Sequence, residues 1–326
     1  MCGQLEALDT DERLDQHAGE NAASAALERE ARATTVSIDE IVRGPGVVAR
    51  KLADDAKLNL DQRRLVALFA WPMQKQWNEA LSKTPQLGDA TSTLWESFSN
   101  QERPLLPLVG VIARVLFIGG GGCGKSLVIT RVLTPLLKTF YGPLGLMIEA
   151  ASNKAARGVG GITLHAANKL MGSSSLITIH LRPKERQKAA MARYRRLGAK
   201  LFDEVSQLNT KLLHADAYCT AMSRAGMSAD CTEVEVERYA DYDQTWGAMP
   251  IIGIGGDELQ LPPVPMQAGP FAPIEGTSDE QKTAVRILNT FKHVYRLSTA
   301  MRFKDDVLIS ILKKMRQHGG CQLSTL

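Results

Sequence analysis

The hydrophobic pattern of the chain changes sharply between residues 111 and 136. Residues 111–118 form a largely apolar run, Val-Ile-Ala-Arg-Val-Leu-Phe-Ile, which ends in a string of glycines. Apolar residues then recur at helical spacing at Leu127, Ile129, Val132 and Leu136. This pattern predicts a buried strand, a glycine-rich loop and a helix, in that order.

Three further apolar runs occur at residues 144–148, 200–202 and 250–254, and each leads into a polar or glycine-rich turn. Short apolar runs separated by helical stretches are typical of buried parallel strands in α/β proteins. We therefore predict a doubly wound, mostly parallel sheet flanked by helices.

The amino-terminal region has a different composition. Residues 1–55 are rich in Ala, Glu, Asp and Arg and contain no aromatic residue, which favours a flexible extension. A cap at Asn59, followed by apolar Leu65, Val66 and Phe69 at helical spacing, indicates that a folded domain covers residues 56–326. Residues 82–108 are predicted to be a connecting insertion.

Charge and cysteine content exclude only a few classes of protein. The net charge of +4 permits a polyanionic partner and also suits an ordinary enzyme. The five cysteines are scattered and never form a CxxC pair, which argues against a disulfide framework and a zinc site. The chain has no apolar run of roughly 20 residues, so we expect no membrane partner. Its amino terminus is acidic, unlike a signal or transit peptide, so we expect an intracellular protein, in the nucleus or mitochondrion if eukaryotic.

The glycine-rich loop satisfies the phosphate-binding pattern GxxxxGK[ST] between the predicted strand and helix. Its members are Gly119, Gly120, Gly121, Gly122, Cys123, Gly124, Lys125 and Ser126. Backbone N–H groups of such a loop converge on phosphate oxygens, Lys125 reaches the β and γ phosphates, and Ser126 offers a hydroxyl to Mg²⁺. We predict an ATP site with Mg²⁺ as cofactor; the alternative is a flexible glycine turn.

Two acidic residues follow the third apolar run. Asp203 at the end of a strand can hold Mg²⁺, while Glu204 orients or deprotonates the attacking water. A pair of this kind is often only surface charge, so its interpretation depends on the phosphate-binding loop. After the last run, Gln260 lies in a polar turn that can reach the γ-phosphate, although a capped loop explains that turn equally well.

Together these motifs resemble the superfamily-one helicases, and most closely the Pif (petite integration frequency) family, including the helicase parts of Helitron-like transposons. The resemblance covers about residues 58–303 and rests on motifs in a fixed order. They are Gln62, the loop 119–126, Ala155-Ala156, residues 160–165, Asp203-Glu204-Val205-Ser206, Gly256-Asp257 with residues 260–264, and residues 297–302.

The family resemblance implies a P-loop NTPase fold of the RecA-like type and adds roles for single residues. Gln62 is similar to the adenine-contacting glutamine, Gln260 to the γ-phosphate sensor, and Arg302 to an arginine that faces the same phosphate. Thr163 and His165 resemble the segment that meets single-stranded DNA. His165 has a buried histidine as its alternative, and Arg302 a surface ion pair.

The chain departs from the family pattern at several positions. It has Gly121 and Cys123 where the family usually has Ala and Thr, residues 151–153 read Ala-Ser-Asn in place of Pro-Thr-Gly, and Gln207 replaces Met. Gly and Cys are small enough for the phosphate-binding loop to persist. The change at residues 151–153 concerns the DNA contact more than the nucleotide site.

A basic segment is a second candidate for DNA contact. Residues 182–200 carry eight basic side chains and one acidic side chain, with Tyr194 among them. Such a run can follow phosphates while Tyr194 stacks on a base. A solvated helix face is the alternative.

The resemblance implies an ATP-dependent DNA helicase motor that moves 5′ to 3′ on single-stranded or forked DNA, in repair, recombination, replication or telomere maintenance. The family needs a second RecA-like domain, and we expect this chain to carry only the first. Two alternatives remain: a weakly active fragment that binds nucleotide or DNA as a scaffold, and a P-loop enzyme of another class. The absence of an LSGGQ-like signature argues against the latter.

Overall fold

The computed structural model describes residues 36–82, 104–108, 112–168, 192–225, 245–257 and 279–301, together with residues 307, 310, 311 and 314. Within these ranges six strands form one sheet in the order β3-β2-β4-β5-β1-β6, and every pair is parallel. The strands are β1 (Ala113–Gly119), β2 (Leu146–Ala150), β3 (Ile162–Thr163), β4 (Ala199–Asp203), β5 (Ile251–Gly256) and β6 (His293–Leu297). The predicted α/β fold with a parallel sheet is confirmed.

Helices connect and flank the strands of the sheet. They are α1 (Ile38–Arg43), α2 (Pro45–Asp55), α3 (Leu60–Ser82), α4 (Lys125–Val128), α5 (Thr134–Tyr141), α6 (Asn153–Gly158), α7 (Leu164–Asn168), α8 (Thr210–Ala225) and α9 (Asp279–Leu288). A π-helical turn, Ile129–Leu133, joins α4 to α5, and a 3-10 turn, Val205–Gln207, follows β4. In the described ranges, no helix has the length and apolar character needed to span a bilayer.

The four inner strands of the sheet, β2, β4, β5 and β1, are buried on both faces, as their sequences require. Along β1, Val115 and Phe117 belong to one hydrophobic cluster, while Leu116 and Ile118 belong to the other. Successive side chains of a strand point to opposite faces, so a continuous apolar run contributes to both layers. Helices α2, α3 and α5 pack in the first cluster, and α7 to α9 in the second.

The structure corrects the predicted amino-terminal boundary. Residues 38–55 form α1 and α2 rather than a flexible extension, and Val48 and Leu52 lie fully inside the first cluster. Helix α1 starts with a capping box in which Ser37 and Glu40 bond each other's backbone N–H groups. Helix α2 packs against α3, and this long-range packing is not revealed by composition alone. Residues 1–35 lie outside the described ranges.

Candidate nucleotide-binding site

The predicted nucleotide residues meet at the carboxyl ends of the central strands. The phosphate-binding loop follows β1, Asp203 ends β4, and Asp257 follows β5, and these strands are neighbours in the sheet. Ligands of open α/β sheets bind at this edge, where the connections leave the strands in opposite directions. The architecture therefore brings the loop together with Asp203 and Asp257, which lie 77 and 131 residues after Ser126 in the sequence.

The phosphate-binding loop has the backbone geometry that its glycines permit. Gly122 and Gly124 have φ values of 82° and 84°, in the left-handed region that residues with a side chain rarely adopt. A Cβ on Gly124 would lie 2.3 Å from the side-chain nitrogen of Gln62. Glycine is therefore required at this position by both conformation and space.

Lys125 lies inside the phosphate-binding loop. Its ammonium group donates hydrogen bonds to the carbonyl oxygens of Gly119 at 2.7 Å and Gly120 at 3.2 Å. The residue is only 7% exposed. A buried cation at the mouth of the loop is suited to anionic phosphate, and a bound phosphate would compete with the two carbonyls for its protons.

The side chains of Ser126 and Asp203 are directly linked. The Ser126 hydroxyl donates to Asp203 Oδ2 at 3.4 Å, and the backbone N–H of Glu204 donates to Asp203 Oδ1 at 3.0 Å. Burial raises the pKa of Asp203, and the Glu204 amide, Lys125 and Ser126 oppose that rise. The pair offers two oxygen donors, the ligand type that Mg²⁺ prefers.

Glu204 has an unusual backbone conformation and an unsatisfied carboxylate oxygen. Its φ and ψ are 61° and 51°, in the left-handed region, a costly conformation that is concentrated at functional sites. Its Oε2 atom is buried with no hydrogen-bond partner in the described ranges. Burial raises the pKa of Glu204, Asp203 and Asp257 raise it further, and Lys125 lowers it. Such an oxygen is placed to accept a hydrogen bond from a water molecule.

Gln62 is fully buried and bridges α3 to the phosphate-binding loop. Its Nε2 donates to the carbonyl of Cys123 at 3.1 Å. Its Oε1 accepts from the backbone N–H of Asn59, while the Asn59 side chain accepts from the backbone N–H of Gln62. This reciprocal capping fixes the start of α3 beside the loop. Contact of Gln62 with adenine stays a prediction.

The residues predicted to meet DNA lie on the same edge of the sheet, at its β2–β3 end. Thr163 pairs with Ala150 in the sheet, and its hydroxyl accepts from the backbone N–H of Ala166 at 3.2 Å, which caps α7. Thr163 and His165 are both half-buried, so His165 is not a core histidine. Their contact with DNA stays a prediction. Gln260 and Arg302 lie outside the described residues.

Two residues of the basic segment, Lys200 and Tyr194, are buried and do not have the DNA-contacting role predicted for them. Lys200 is fully buried and pairs with Glu149 at 2.8 Å and Asp216 at 2.6 Å. Tyr194 is 2% exposed, and its hydroxyl donates to Asn168 Oδ1 at 2.7 Å. The prediction that Tyr194 stacks on a base is therefore wrong, because its ring is part of the core. Arg195 and Arg196 are exposed, and residues 182–191 lie outside the described ranges.

Sequence reasoning also missed a set of contacts beyond β6. Asp61 Oδ2 accepts hydrogen bonds from the hydroxyls of Ser298 at 2.8 Å and Thr299 at 3.0 Å. The backbone N–H of Met301 donates to the carbonyl of Gly122 at 2.9 Å. The only sequence signal was the placement of Ser298 and Thr299 in the last motif; nothing pointed to Asp61.

Several known helicases are similar to this chain in sequence or structure. The chain is 24% identical over 219 residues to the ATP-dependent DNA helicase PIF1 of Saccharomyces cerevisiae, covering 67% of the chain and 23% of that protein. It is 27% identical over 164 residues to the ATP-dependent DNA helicase RRM3 of the same yeast, covering 50% and 20%. The crystal structure of the Pif1 helicase from Candida albicans matches with a TM-score of 0.50 at 24% identity, over 65% of this chain and 42% of that one.

These matches confirm the family resemblance inferred from the motifs, and the structural match confirms the RecA-like fold. The chain spans less than a quarter of the length of the two yeast proteins. No protein-family profile matches it.

Proposed function

We propose that this chain, a relative of the Pif helicases, is the first RecA-like motor domain of an ATP-dependent DNA helicase. The observation that carries the proposal is the meeting of Ser126 and Asp203 beside a phosphate-binding loop, with the free carboxylate oxygen of Glu204 next to them. These groups are the ones that nucleotide hydrolysis requires: a loop that binds phosphate, oxygen ligands for Mg²⁺ and a carboxylate that can activate water. We assign the motor domain to residues 38–326.

The Ser126 and Asp203 oxygens fit a magnesium ion. Mg²⁺ binds oxygen at 2.0–2.1 Å in octahedral geometry, so adjacent ligands lie about 2.9 Å apart. The observed 3.4 Å separation needs only a small adjustment to reach that value. A bound ion would neutralise the charge that develops on the phosphates. In the described ranges, no group of three or more His, Cys, Asp or Glu side chains is arranged to hold a metal, so phosphate and water would supply the remaining ligands.

Hydrolysis of ATP would proceed by in-line attack of water on the γ-phosphate. Glu204 would hold or deprotonate that water, and its half-buried, raised-pKa carboxyl suits the role of a base. Lys125 would leave the carbonyls of Gly119 and Gly120 for the phosphates. Gln260 and Arg302 would complete the contacts with the γ-phosphate.

DNA is the proposed track of the motor. Solved relatives include a Bacteroides Pif1 bound to single-stranded DNA and Pif1 helicases studied on forked duplex DNA. We assign Thr163 and His165 to the strand contact, with 5′ to 3′ movement. Translocation would need a second RecA-like domain to close on the nucleotide. Repair, recombination, replication or telomere maintenance, in the nucleus or mitochondrion, would be the setting.

ATP hydrolysis by the purified chain, with and without single-stranded DNA, tests this proposal. We expect turnover that DNA stimulates and that both Lys125→Ala and Glu204→Gln abolish. Nucleotide binding that depends on Lys125, without turnover, would support a binding scaffold instead of a motor. An unchanged rate in both variants would show that the activity comes from elsewhere.

A further inference from the structure

The first turn of α3 carries a carboxylate that joins two distant parts of the chain. Asp61 Oδ2 accepts hydrogen bonds from the hydroxyls of Ser298 and Thr299, at 2.8 and 3.0 Å, from positions 237 and 238 residues away. These two donors hold the pKa of Asp61 below its usual value. Hydrogen bonds to an ionised acceptor are stronger than neutral ones, so the contact favours one position of the segment after β6.

The same segment touches the phosphate-binding loop. The backbone N–H of Met301 donates to the carbonyl of Gly122 at 2.9 Å, and the side-chain Nδ2 of Asn59 donates to the Met301 sulfur at 3.1 Å. Gln62, the residue after Asp61, donates to the carbonyl of Cys123. Residues 59–62, the loop 119–126 and residues 298–301 therefore form a closed ring of contacts, which we name the α3 clasp.

An acidic residue in the first turn of a helix can stabilise that helix without any contact to the segment after β6, and this effect must be distinguished from the effect of the clasp. An acidic residue in the first turn stabilises a helix by its interaction with the helix dipole. Asp39 provides the comparison, because it occupies the same position of α1, two residues after its capping residue Ser37, as Asp61 does after Asn59. Both helices also have reciprocal capping. Unlike Asp39, Asp61 accepts hydrogen bonds from two hydroxyl groups that lie beyond β6 in the chain.

We propose that Asp61 is a positioning residue that sets the segment 298–301 against the phosphate-binding loop, and thereby sets how the site distinguishes a triphosphate from a diphosphate. This rests on the proposed function of the site. Arg302, which the proposed function assigns to the γ-phosphate, directly follows Met301 in the sequence. The clasp therefore fixes the position of the residue that precedes it. Loss of the clasp should weaken contact with the γ-phosphate more than contact with the α and β phosphates.

The test compares the affinities of the purified full chain for a non-hydrolysable ATP analogue and for ADP, both with Mg²⁺. The wild type should prefer the analogue. In Asp61→Ala we expect that preference to fall about threefold to tenfold, which is the effect of losing an ordinary hydrogen bond, because the contacts of Asp61 are exposed to solvent. Asp61→Asn should restore part of it, and Asp39→Ala should retain the wild-type preference.

A second pair of changes removes the donors instead of the acceptor. The double variant Ser298→Ala, Thr299→Val should lower the preference as Asp61→Ala does, and combining all three changes should lower it little further, because the residues act through one contact.

The outcomes separate this inference from the proposed function. A wild type that binds neither nucleotide would refute the proposed function itself. A wild type that binds both equally, or an Asp61→Ala variant that keeps the wild-type preference, would overturn the positioning role and leave the nucleotide site standing. An equal fall in Asp61→Ala and Asp39→Ala would also overturn it, because the cause would then be the stability of helix termini.

Discussion

The hydroxyl of Ser126 lies 3.4 Å from a carboxylate oxygen of Asp203, although 77 positions separate the two residues in the chain. The contact depends on the strand order, since β5 lies between the strands that lead to these residues. It joins the start of the helix after the phosphate-binding loop to the end of β4.

Removing the Ser126 hydroxyl should weaken magnesium-dependent binding of ATP. We expect Ser126→Ala to lower the affinity for ATP with Mg²⁺ at least about tenfold, because one oxygen ligand of the ion is lost. Affinity in the presence of a chelator should change little. The control is Thr130→Ala, one turn further along the helix, where the hydroxyl donates to the backbone carbonyl of Ser126. Equal effects at both positions would refute a metal role for Ser126.

Changing Glu204 to Gln should separate binding from hydrolysis. The amide keeps the size of the side chain but cannot accept a proton, so we expect kcat to fall about 10²- to 10⁴-fold while the affinity for ATP is retained. Because Glu204 has a raised pKa, the wild-type rate should fall as the pH is lowered through that pKa. A single-turnover rate measurement checks both points. A variant with normal kcat would exclude Glu204 as the base.

Two glycines with a positive φ allow a comparison that tests the loop. Gly124 and Gly160 have φ values of 84° and 66°, but a Cβ at Gly160 would meet nothing within 4 Å. Gly160→Ala should therefore cost only the backbone strain, about 1–2 kcal/mol of unfolding free energy. Gly124→Ala should cost about 1–3 kcal/mol more, because Gln62 must give up its bond to Cys123.

Urea unfolding measures the two free energies, and nucleotide affinity provides a second readout. Only Gly124→Ala should lose ATP binding. Equal costs and equal affinities in the two variants would contradict the close contact between Gln62 and the loop.

The buried cluster around Lys200 predicts a dependence of stability on pH. Burial raises the pKa of Glu149 from 4.5 to about 8, Asp216 adds to that rise, and Lys200 opposes it. The folded state then binds more protons than the unfolded state between these two values. The contribution of Glu149 to stability is therefore full below pH 4.5 and is lost as the pH rises towards 8.

The variant Glu149→Gln removes this titration while keeping the side-chain shape. As the pH rises from 4.5 to about 8, we expect the unfolding free energy of this variant to fall less than that of the wild type, as measured by urea unfolding. Glu40→Gln is the control, because Glu40 lies on the surface and its pKa is lowered. Parallel curves for Glu149→Gln and the wild type would contradict the raised pKa.

The sequence was informative where one short segment determines its own structure. The apolar run before Gly119 and the helical spacing after Ser126 predicted the strand, loop and helix, and β4 and β5 were found by the same apolar signal. Strand β6 escaped that signal because its described side chains are mostly exposed at the edge of the sheet. Strand β3, with only two residues, is too short to give one.

Features that depend on long-range contacts could not be predicted. Lys200 and Tyr194 look like members of a basic surface segment, yet Glu149, Asp216 and Asn168 from other elements make their burial possible. The left-handed backbone of Glu204 and the bonds of Asp61 to Ser298 and Thr299 likewise arise from packing.

The central claim is that the carboxyl edge of this sheet binds ATP through the phosphate-binding loop. Calorimetric titration of the purified chain with ATP and Mg²⁺, for the wild type and for Lys125→Ala, tests it most directly. We predict saturable binding by the wild type and at least about a tenfold loss of affinity in the variant, since a buried ammonium that bonds phosphate is removed. An absence of binding by the wild type, or equal affinity in the two proteins, would contradict the claim.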